Sequence, residues 1–554
     1  MMRPRVVLAM AALTWMVCTV AIVAARVERG APQAPHANAG ASPAQAPHFL
    51  TSDNCLACHN TLISPSGEDI SIGSSWRGSI MANSSRDPYW QASVRRETLD
   101  HPTRQADIED ECASCHMPMA RTIAKSSGRA GQVFAHLSAT AIASDENRLA
   151  ADGVSCTMCH QIGREKLGTA ESFSGGFVVN APLPGGSAIF GPYKVDKGRT
   201  RLMHSAAGMT PVESLHVQQS ELCATCHTLF TDALGPDGET IGRLPEQVPY
   251  LEWRHSAYRA ERSCQSCHMP EVAEPSRISS VLGEPRPGVS RHTFIGGNAF
   301  MLRMLDKYRA ELRVEALPAE LQGMARATVR QLQSATAEVS LTGSRSTAEQ
   351  IVLSVSVRNL TGHKFPTGYP ARRAWLHVVV RDNNGRAVFE SGAVAPSGAI
   401  GGNDADADAG RFEPHYTEIR RADQVQVYES VMAGPTGAVT TGLLQAVRFI
   451  KDNRLLPRGF DKAAAGADIA VRGDAAADQD FTEGGDRVRY SVDVGRAEGP
   501  FTATAELLYQ PIAFRWAQNL KPYAGDEPRR FVSYFDTMAG ESATVVSMAR
   551  TDVR

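Results

Sequence analysis

Ten of the eleven cysteines in this 554-residue chain belong to one short motif, Cys-x-x-Cys-His, which occurs five times. The copies read CLACH, CASCH, CTMCH, CATCH and CQSCH, and they begin at Cys55, Cys112, Cys156, Cys223 and Cys264. The remaining cysteine, Cys18, lies in an apolar run near the start of the sequence. No motif cysteine is left over for a disulfide, so the chemistry of the motif must dictate how residues 55–268 fold.

The motif is typical of covalent haem attachment. Its two thiols add to the vinyl groups of haem, and the histidine that follows becomes the proximal ligand of the iron. A redox dithiol or a zinc site is the alternative, but neither requires a histidine directly after the second cysteine in five copies. The sequence therefore predicts five haem c groups. The predicted attachment cysteines are Cys55, Cys58, Cys112, Cys115, Cys156, Cys159, Cys223, Cys226, Cys264 and Cys267, and the proximal histidines are His59, His116, His160, His227 and His268.

Aromatic content and charge limit what the chain can be. Phe, Trp and Tyr make up only 6% of the residues, which is little for a conventional core in a chain of this length. Five porphyrins within residues 55–268 would supply the missing apolar volume and would lie close enough together to form an electron path. The formal net charge of -2 gives no electrostatic basis for binding nucleic acid.

The first 25 residues have the pattern of a targeting segment. Arg3 and Arg5 precede an apolar run over residues 6–25, which ends in the small residues Ala24 and Ala25. The run is also long enough to span a bilayer as a helix, so a cleaved signal peptide and a retained membrane anchor both stay open. Either one places the rest of the chain outside the cytoplasm, where haem attachment of this kind occurs, and the predicted location is the bacterial periplasm. Residues 26–47, rich in Ala, Pro and Gly, are predicted to be a disordered tether.

A six-coordinate haem needs a second axial ligand on its distal side, and histidine is the expected donor. Sixteen histidines less the five proximal ones leave eleven, which is enough for all five haems. We consider six of them distal candidates, while His36, His48, His255, His377 and His415 are weaker. The six candidates are His101, His136, His204, His216, His292 and His363.

His363 is the most distant of these candidates from the motifs. It stands in NLTGHKFPTGYP, between a glycine and a Phe-Pro-Thr-Gly turn, 95 residues after His268. We predict that it ligates one haem of the first half of the chain, which requires the two halves to pack directly on each other. Gly362 would leave room for a porphyrin face to approach the backbone. The alternative is a loop histidine that bonds to a carboxylate.

The second half of the chain changes from helical patterns to short alternating segments. AEVSLTG, QIVLSVSVRNL, QVQVYESVM, RVRYSVDVG and FTATAELLYQ are typical of strands, and the DNNG between two further runs indicates a hairpin. The predicted fold class is α+β, with a mostly helical or irregular haem domain followed by a β-sandwich-like domain. The predicted divisions are residues 1–25, the targeting segment; 26–47, the tether; 48–297, the pentahaem domain; 298–335, a helical connector; and 336–554, the β-sandwich-like domain.

One acidic loop offers a minor alternative cofactor. GGNDADADAGRFEPHY places Asp404, Asp406 and Asp408 at alternate positions, and oxygen ligands at that spacing can bind calcium. The glycine and the final glutamate of an EF-hand are not at the required positions, so that motif does not match. A solvated loop is the favoured interpretation of this segment.

Taken together, the motifs and their spacing resemble those of multihaem c-type cytochromes related to the tetrahaem cytochrome that accepts electrons from hydroxylamine oxidoreductase. The resemblance covers roughly residues 50–300. In that family a Trp-x-x-Ser-x-His segment often supplies a distal ligand. The two similar segments here, WRGSIM from Trp76 and WRHSAY from Trp253, have Met81 and Tyr258 at the histidine position. Met81 could still ligate iron through its thioether.

Three functions follow as hypotheses. The first is an electron-transfer protein that exchanges electrons with redox protein partners or with a membrane donor linked to quinol. The second is an oxidoreductase in which one haem keeps an open site for a small nitrogen or sulfur compound; pentahaem nitrite reductases are similar in haem number, but they typically use a Cys-x-x-Cys-Lys motif that is absent here. The third, a haem-rich adhesive module, explains least, because adhesion does not need five haems.

Overall fold

A computed structural model describes residues 49–137, 144–179 and 186–554 of the chain. The predicted targeting segment and tether, together with Cys18, His36 and His48, lie outside these residues. Helices and strands both occur throughout the described part, which confirms the predicted α+β class. Within these residues no helix is both long enough and apolar enough to cross a membrane.

The α-helices of the described residues range from single turns of four residues to the 18 residues of Pro318–Ala335. They are α1 Asp53–Leu56, α2 Ile72–Arg77, α3 Pro88–Asp100, α4 Gln105–His116, α5 Pro118–Ser126, α6 Phe134–Leu137, α7 Asp145–Ala151, α8 Cys156–Cys159, α9 Lys197–Ala207, α10 Ser220–Ala224, α11 Pro249–Arg254, α12 Cys264–His268, α13 Ala299–Lys307, α14 Pro318–Ala335, α15 Asp404–Ala407, α16 Phe514–Gln518 and α17 Asp526–Met538.

The strands lie mostly after residue 336. They are β1 Ser187–Gly191, β2 Met209–Glu213, β3 Leu229–Leu234, β4 Thr240–Gln247, β5 Ala337–Arg345, β6 Gln350–Asn359, β7 Arg373–Arg381, β8 Ala387–Ser391, β9 Glu418–Ile419, β10 Val427–Tyr428, β11 Ser430–Ala433, β12 Val439–Thr440, β13 Arg448–Asp452, β14 Asp486–Asp493, β15 Phe501–Gln510 and β16 Thr544–Val553.

Two mainly antiparallel sheets of the second half pack around one hydrophobic core. One has the strand order β5-β6-β14-β9, and the other has β10-β7-β15-β16 with β8 paired to β7. Alternate residues of β6, such as Leu353 and Val355, are fully buried and contact the buried residues of β7 and β15, such as Leu376 and Leu507. Because side chains alternate between the two faces of a strand, this pattern buries one face of each sheet against the other. The arrangement is that of a β-sandwich.

The hairpin predicted at DNNG is present. β7 and β8 pair antiparallel with Val380 opposite Phe389. The turn between them closes with a hydrogen bond from the N–H of Gly385 to the carbonyl of Asp382. Gly385 has a φ of +78°, a backbone conformation that only glycine adopts without strain.

The first half contains two small sheets that the sequence analysis did not predict. β1 and β2 pair in parallel, and β3 and β4 form an antiparallel hairpin. The sequence of β4, TIGRLPEQ, contains a glycine and a proline, so it lacks the alternation by which strands are recognised. Helices still dominate the first half, and its motifs lie on short helical segments or on the turns beside them.

The two halves of the chain are in direct contact. Helix α3 packs along α17, where Arg95 Nε lies 2.8 Å from Glu527 Oε2. The backbone N–H of Leu443 donates to Glu97 Oε1 at 2.8 Å. Residues 298–335, the predicted helical connector, contain the two helices α13 and α14, and a hydrophobic cluster joins them to α17.

Candidate metal centres

The five motifs have a common local geometry. In each of the motifs that begin at Cys55, Cys156 and Cys223, the N–H of the histidine donates to the carbonyl of the first cysteine, at 2.9, 3.1 and 2.9 Å. This is one turn of helix, in which residues i, i+3 and i+4 lie on the same face. Both thiols and the imidazole therefore project to one side. The ten motif cysteines are all free thiols, so each is available for a thioether bond.

Hydrogen bonds hold four of the five proximal imidazoles in one tautomer. Each Nδ1 lies at hydrogen-bond distance from a backbone carbonyl, which can only accept, so Nδ1 carries the proton. The other nitrogen, Nε2, is left with a lone pair that can bind a metal. The four pairs are His59 with Ile278 at 2.6 Å, His116 with Ser84 at 3.0 Å, His160 with Phe190 at 2.5 Å and His268 with Ile295 at 2.5 Å.

Burial keeps the imidazoles of His116, His227 and His292 uncharged. Removal from water disfavours the imidazolium form and lowers the pKa of His116 and of His227 to about 4. Burial also lowers the pKa of His292 to about 4. Neutral imidazole is the form that coordinates a metal, so all three side chains are in the required protonation state near pH 7.

Two distal candidates lie opposite proximal histidines. The ring centres of His160 and His292 are 6.2 Å apart with an interplanar angle of 18°. Those of His268 and His363 are 6.3 Å apart with an angle of 15°. An imidazole–metal bond of about 2.0 Å on each side of one ion, plus the distance from each Nε2 to its ring centre, gives about 6.3 Å between ring centres. Both pairs have the spacing that two axial ligands of one iron require.

The distal members of the two pairs are held in the same way as the proximal ones. His292 Nδ1 donates to the carbonyl of Ser290 at 3.0 Å. His363 Nδ1 donates to the carbonyl of Lys364 at 2.9 Å. Each distal histidine therefore also keeps the lone pair of Nε2 free. The structure brings His363 to 6.3 Å from His268, a motif histidine of the first half, and ligation of a haem by His363 stays a prediction.

His101 is a third histidine suited to metal binding. It caps the C-terminus of α3 and is 8% exposed. Its Nε2 is buried and has no hydrogen-bond partner. A buried nitrogen without a partner costs free energy, and a metal ion at this position would remove that cost.

The surroundings of His216 remove it from the six candidate distal ligands. Its Nδ1 lies 2.6 Å from Ser214 Oγ, and its Nε2 lies 2.8 Å from the carbonyl of Ile162. The carbonyl can only accept, so Nε2 carries the proton and has no lone pair for iron. The position of His216 shortly before a haem motif reflects packing within the first half of the chain.

Two other candidates have surroundings that do not favour ligation. His136 Nδ1 bonds to the side chain of Asn147, and His204 is exposed on α9. Among the described residues, neither forms a ring pair with a proximal imidazole as His292 and His363 do. Both stay predictions from the sequence alone.

Gly362, next to His363, has a different neighbour from the porphyrin that was expected there. A Cβ at Gly362 would lie 3.3 Å from Tyr258 and 3.4 Å from Trp253, so this glycine allows the loop to approach those two rings rather than a porphyrin. Tyr258 donates its hydroxyl proton to the carbonyl of Leu360 at 2.8 Å. Tyr258 thus anchors the loop that carries His363.

The acidic loop is not arranged for calcium, and this minor prediction is wrong. Asp406 accepts from both terminal nitrogens of Arg373 at 2.8 Å, and it is buried. Asp404 pairs with Arg411, and Asp408 accepts from the N–H of Gly410. The carboxylates have other partners and do not converge on one point.

His415 lies within a buried acidic cluster, but its protonation excludes a metal. Its Nδ1 accepts from the side-chain amides of Gln426 and Asn453 at 2.9 and 3.1 Å. The proton is therefore on Nε2, which donates to Asp478 Oδ2 at 3.0 Å. His415 therefore contributes to the buried polar packing of the second half.

The spatial order of the motifs differs from their order in sequence. We number the motifs 1 to 5 along the chain. The thiol of Cys55 in motif 1 interacts with that of Cys156 in motif 3. Hydrogen bonds support the same proximity, because Thr157 Oγ1 donates to the carbonyl of Leu50 at 2.8 Å and Ser52 binds Asp152.

Motif 4 lies beside three other motifs. The thiol of Cys226 interacts with that of Cys115 in motif 2, and the thiol of Cys223 interacts with that of Cys264 in motif 5. Cys159 of motif 3 lies near both cysteines of motif 4. The N–H of Cys264 also donates to Ser220 Oγ at 3.0 Å, next to motif 4.

Comparisons with known proteins give one structural likeness. No family model matches the chain, and no curated protein matches it. The chain is similar to a solved structure of a penta-haem cytochrome c552 from Thermochromatium tepidum, with 15% identity and a TM-score of 0.49 over 91% of this chain and 99% of that one. A likeness of this size assigns neither family nor function, and the proposals below rest on the residues of the chain itself.

Proposed function

We propose that this chain is an electron-transfer protein that holds five haem c groups outside the cytoplasm. The observation that carries the proposal is the pair of imidazole couples, His160 with His292 and His268 with His363, at 6.2 and 6.3 Å between ring centres. In each couple one member follows a Cys-x-x-Cys pair and both have Nε2 free. Two histidines on one iron leave no open position for a substrate, which favours electron transfer over catalysis at these two sites.

The motif cysteines and the backbone carbonyls near the proximal histidines would have separate roles in binding the haems. The ten motif cysteines would hold the porphyrins by thioether bonds, and the bound haems would supply one-electron redox chemistry. The carbonyls of residues such as Phe190 and Ile295 would fix the ring orientation of the proximal histidines. Such hydrogen bonds also raise the basicity of the ligand nitrogen, which is one means of setting a reduction potential.

We further infer that the attachment sites form a branched series. Motifs 1 and 3 form one arm, motif 2 a second and motif 5 a third, and motif 4 lies at the junction. The support is the proximity of the Cys223 and Cys226 thiols to cysteines of motifs 5, 2 and 3. In this arrangement an electron passing between any two arms crosses motif 4.

A glycine substitution tests the approach of motifs 2 and 4. The N–H of Gly175 donates to the carbonyl of Thr225 at 2.7 Å, and a Cβ at Gly175 would lie 2.7 Å from Ser114 Oγ. We expect Gly175→Ala to lower the free energy of unfolding by about 1–3 kcal/mol more than Gly128→Ala, because only the former overpacks the contact. Gly128 is a matched control: its φ of +70° resembles the +75° of Gly175, and its Cβ would meet no atom within 4 Å. Equal losses in thermal unfolding of the two holoproteins would contradict the close approach.

The number of haems gives the most direct test of the proposal. The purified protein should exceed its polypeptide mass by five haems, and acid-acetone extraction should leave the colour in the protein because thioether bonds survive it. A mass corresponding to fewer than five haems, from cells with working attachment machinery, would contradict the count.

An enzyme with one open haem site is the second candidate function. The observation in its favour is that, within the described ranges, His59, His116 and His227 form no ring pair with a second imidazole like those of His160 and His268. Electron paramagnetic resonance of the oxidised protein separates the two functions. Low-spin signals alone support electron transfer, whereas a stoichiometric high-spin ferric haem supports an enzyme that acts on a small nitrogen or sulfur compound.

The proposed location and partners follow from the chemistry of attachment. Haem c is attached outside the cytoplasm, and the run over residues 6–25 has the pattern of a segment that directs export. The proposed location is therefore the periplasm, with or without membrane anchoring through that run. Redox proteins or a donor linked to membrane quinol are the proposed partners.

A further inference from the structure

Four charged side chains are buried together next to His363. Glu252, Lys364, Asp452 and Arg454 are 0, 0, 3 and 6% exposed. Two are cationic and two anionic, so the cluster is formally neutral. Burial of an ion is unfavourable unless its partners are well placed, and such clusters are therefore informative about what they hold in position.

The four side chains form one connected network. Lys364 Nζ lies 2.7 Å from Asp452 Oδ2, and Arg454 Nη2 lies 2.7 Å from the same oxygen. Arg454 Nη1 lies 2.9 Å from Glu252 Oε1. Burial is offset here by the attraction of Arg454 and Lys364, which holds the pKa of Asp452 at about 2.

Glu252 also binds the backbone of the His363 loop. Its Oε2 accepts from the N–H of Lys364 at 3.1 Å and from Thr367 Oγ1 at 2.6 Å. The carbonyl of the same residue, Lys364, accepts from His363 Nδ1 at 2.9 Å. One residue thus connects the carboxylate of Glu252 to the imidazole of His363.

The network joins elements that are far apart in sequence. Glu252 lies on α11, shortly before motif 5, while Asp452 ends β13 in the second half. Ser256, just after α11, donates to the carbonyl of Gly362 at 3.1 Å. The loop of the second half is therefore fixed to the segment that leads into the motif whose histidine, His268, it faces.

We propose that Glu252, through the network with Lys364, Asp452 and Arg454, positions His363 as an iron ligand opposite His268. This inference rests on the proposed function, because it assumes a haem between these two histidines. Glu252 does not touch the ligand atom; it acts through the backbone of Lys364 and through Thr367. The charge of the network is balanced by residues from both halves, so the ligand is held only when the halves are packed together.

Two variants test the proposal. Glu252→Gln keeps the size of the side chain but removes its charge, and Thr367→Val removes only the hydroxyl donor. In each purified holoprotein we expect five attached haems, of which one gains a high-spin ferric component and, when reduced, binds carbon monoxide. The fraction should be larger for Glu252→Gln than for Thr367→Val. Added imidazole should restore the low-spin spectrum, because it can take the place of a loosened histidine.

The matched control is Asp406→Asn. Asp406 also forms a buried ion pair, with Arg373 at the start of β7. Its carboxylate bonds to Arg373 and to the N–H of Ile400 rather than to His363, Lys364 or Thr367. This variant should lower the thermal midpoint without producing a high-spin haem. If neither test variant gains high-spin signal or carbon monoxide binding relative to the unsubstituted protein, Glu252 does not position the ligand.

A reference variant separates this inference from the proposed function. If His363→Ala itself leaves all haems low-spin, the His268–His363 couple fails and the network has no ligand to position. If His363→Ala produces one high-spin haem but Glu252→Gln and Thr367→Val do not, the couple stands and only the role of the network is overturned. Glu252→Gln and Thr367→Val both weaken the hydrogen bonds between Glu252 and the His363 loop. If Glu252→Gln fails to fold, Thr367→Val still tests the proposal.

Discussion

Replacement of His363 by alanine is expected to leave five haems attached and to convert one of the five from low-spin to high-spin. The reason is geometric: His363 is the imidazole that lies 6.3 Å from His268 between ring centres, with Nδ1 bonded and Nε2 free. Without it the iron between them would keep one strong axial nitrogen ligand. Electron paramagnetic resonance of the oxidised protein should show the change in about one fifth of the iron, since one of the five haems loses a ligand.

Loss of the second imidazole should also raise the reduction potential of that haem. Histidine donates strongly to ferric iron, so its removal destabilises the oxidised state relative to the reduced state. A redox titration followed by absorbance should show one of five components moving upward. Because the loop of His363 contacts the first half through Tyr258 and Ser256 as well, the protein should stay folded.

His292→Ala and His255→Ala provide the companion and the control. His292 faces His160 in the same way and should give the same spectral change at a different haem. His255 Nε2 donates to the carbonyl of Asp461 at 2.9 Å and faces no proximal imidazole, so His255→Ala should leave every haem low-spin. An unchanged low-spin spectrum in His363→Ala would refute ligation by the second half of the chain.

The haem motifs could be recognised from the sequence because their chemistry requires adjacent residues. Two thioether bonds and one axial ligand must come from a single helical turn, so Cys-x-x-Cys-His is contiguous in the chain. The distal ligands obey no such rule. His363 lies 95 residues after its proposed partner, whereas His216 lies seven residues before Cys223 and has both ring nitrogens occupied.

The strands of the second half were predictable for a different reason. Alternation in QIVLSVSVRNL matches the burial of every second residue of β6, since one face of the sheet lies on the core. β4 in the first half has no such alternation and was missed. Its residues pair with β3 across the turn Gly235-Pro236-Asp237-Gly238, and this Pro-Asp-Gly turn is the only local signal of the hairpin, because TIGRLPEQ itself does not alternate.

The buried charges near His363 gave no signal in the sequence. Lys, Arg, Asp and Glu are usually exposed, so a lysine beside a histidine in a loop predicts a solvated side chain. Lys364 is instead fully buried against Asp452, which is 88 residues away in sequence. Only the fold brings together the partners that make such burial tolerable, so positioning residues of this kind are found from structure rather than from motifs.

The distribution of buried side chains over the two halves leads to the second large effect. The sandwich has one cluster of 32 buried hydrophobic residues. In the first half, the largest such cluster, around Val94, contains nine buried residues, one of which is Leu444 of the second half. The clusters around Phe49 and around Leu62 contain five and four buried residues. Such small clusters cannot offset the conformational entropy lost when a chain segment is ordered, and we expect the porphyrins to supply the remaining apolar burial.

The full chain produced in cells without haem-attachment machinery should therefore be colourless and only half folded. Limited proteolysis with mass mapping should remove residues 49–297 and leave a resistant fragment that begins near α13. The reason is that α13, α14 and α17 share a cluster of 22 buried residues, and the first half contributes only Tyr89 and Ala92 to it. Cleavage within residues 49–297 should be at least about 100-fold faster than in the holoprotein, which corresponds to a loss of about 3 kcal/mol of local stability when cleavage follows the opening equilibrium. The holoprotein digested in parallel is the control, and it should resist over both halves. Equal resistance of residues 49–297 with and without haem would show that their own side chains suffice to fold them, and that the haems are guests in a preformed structure rather than its core.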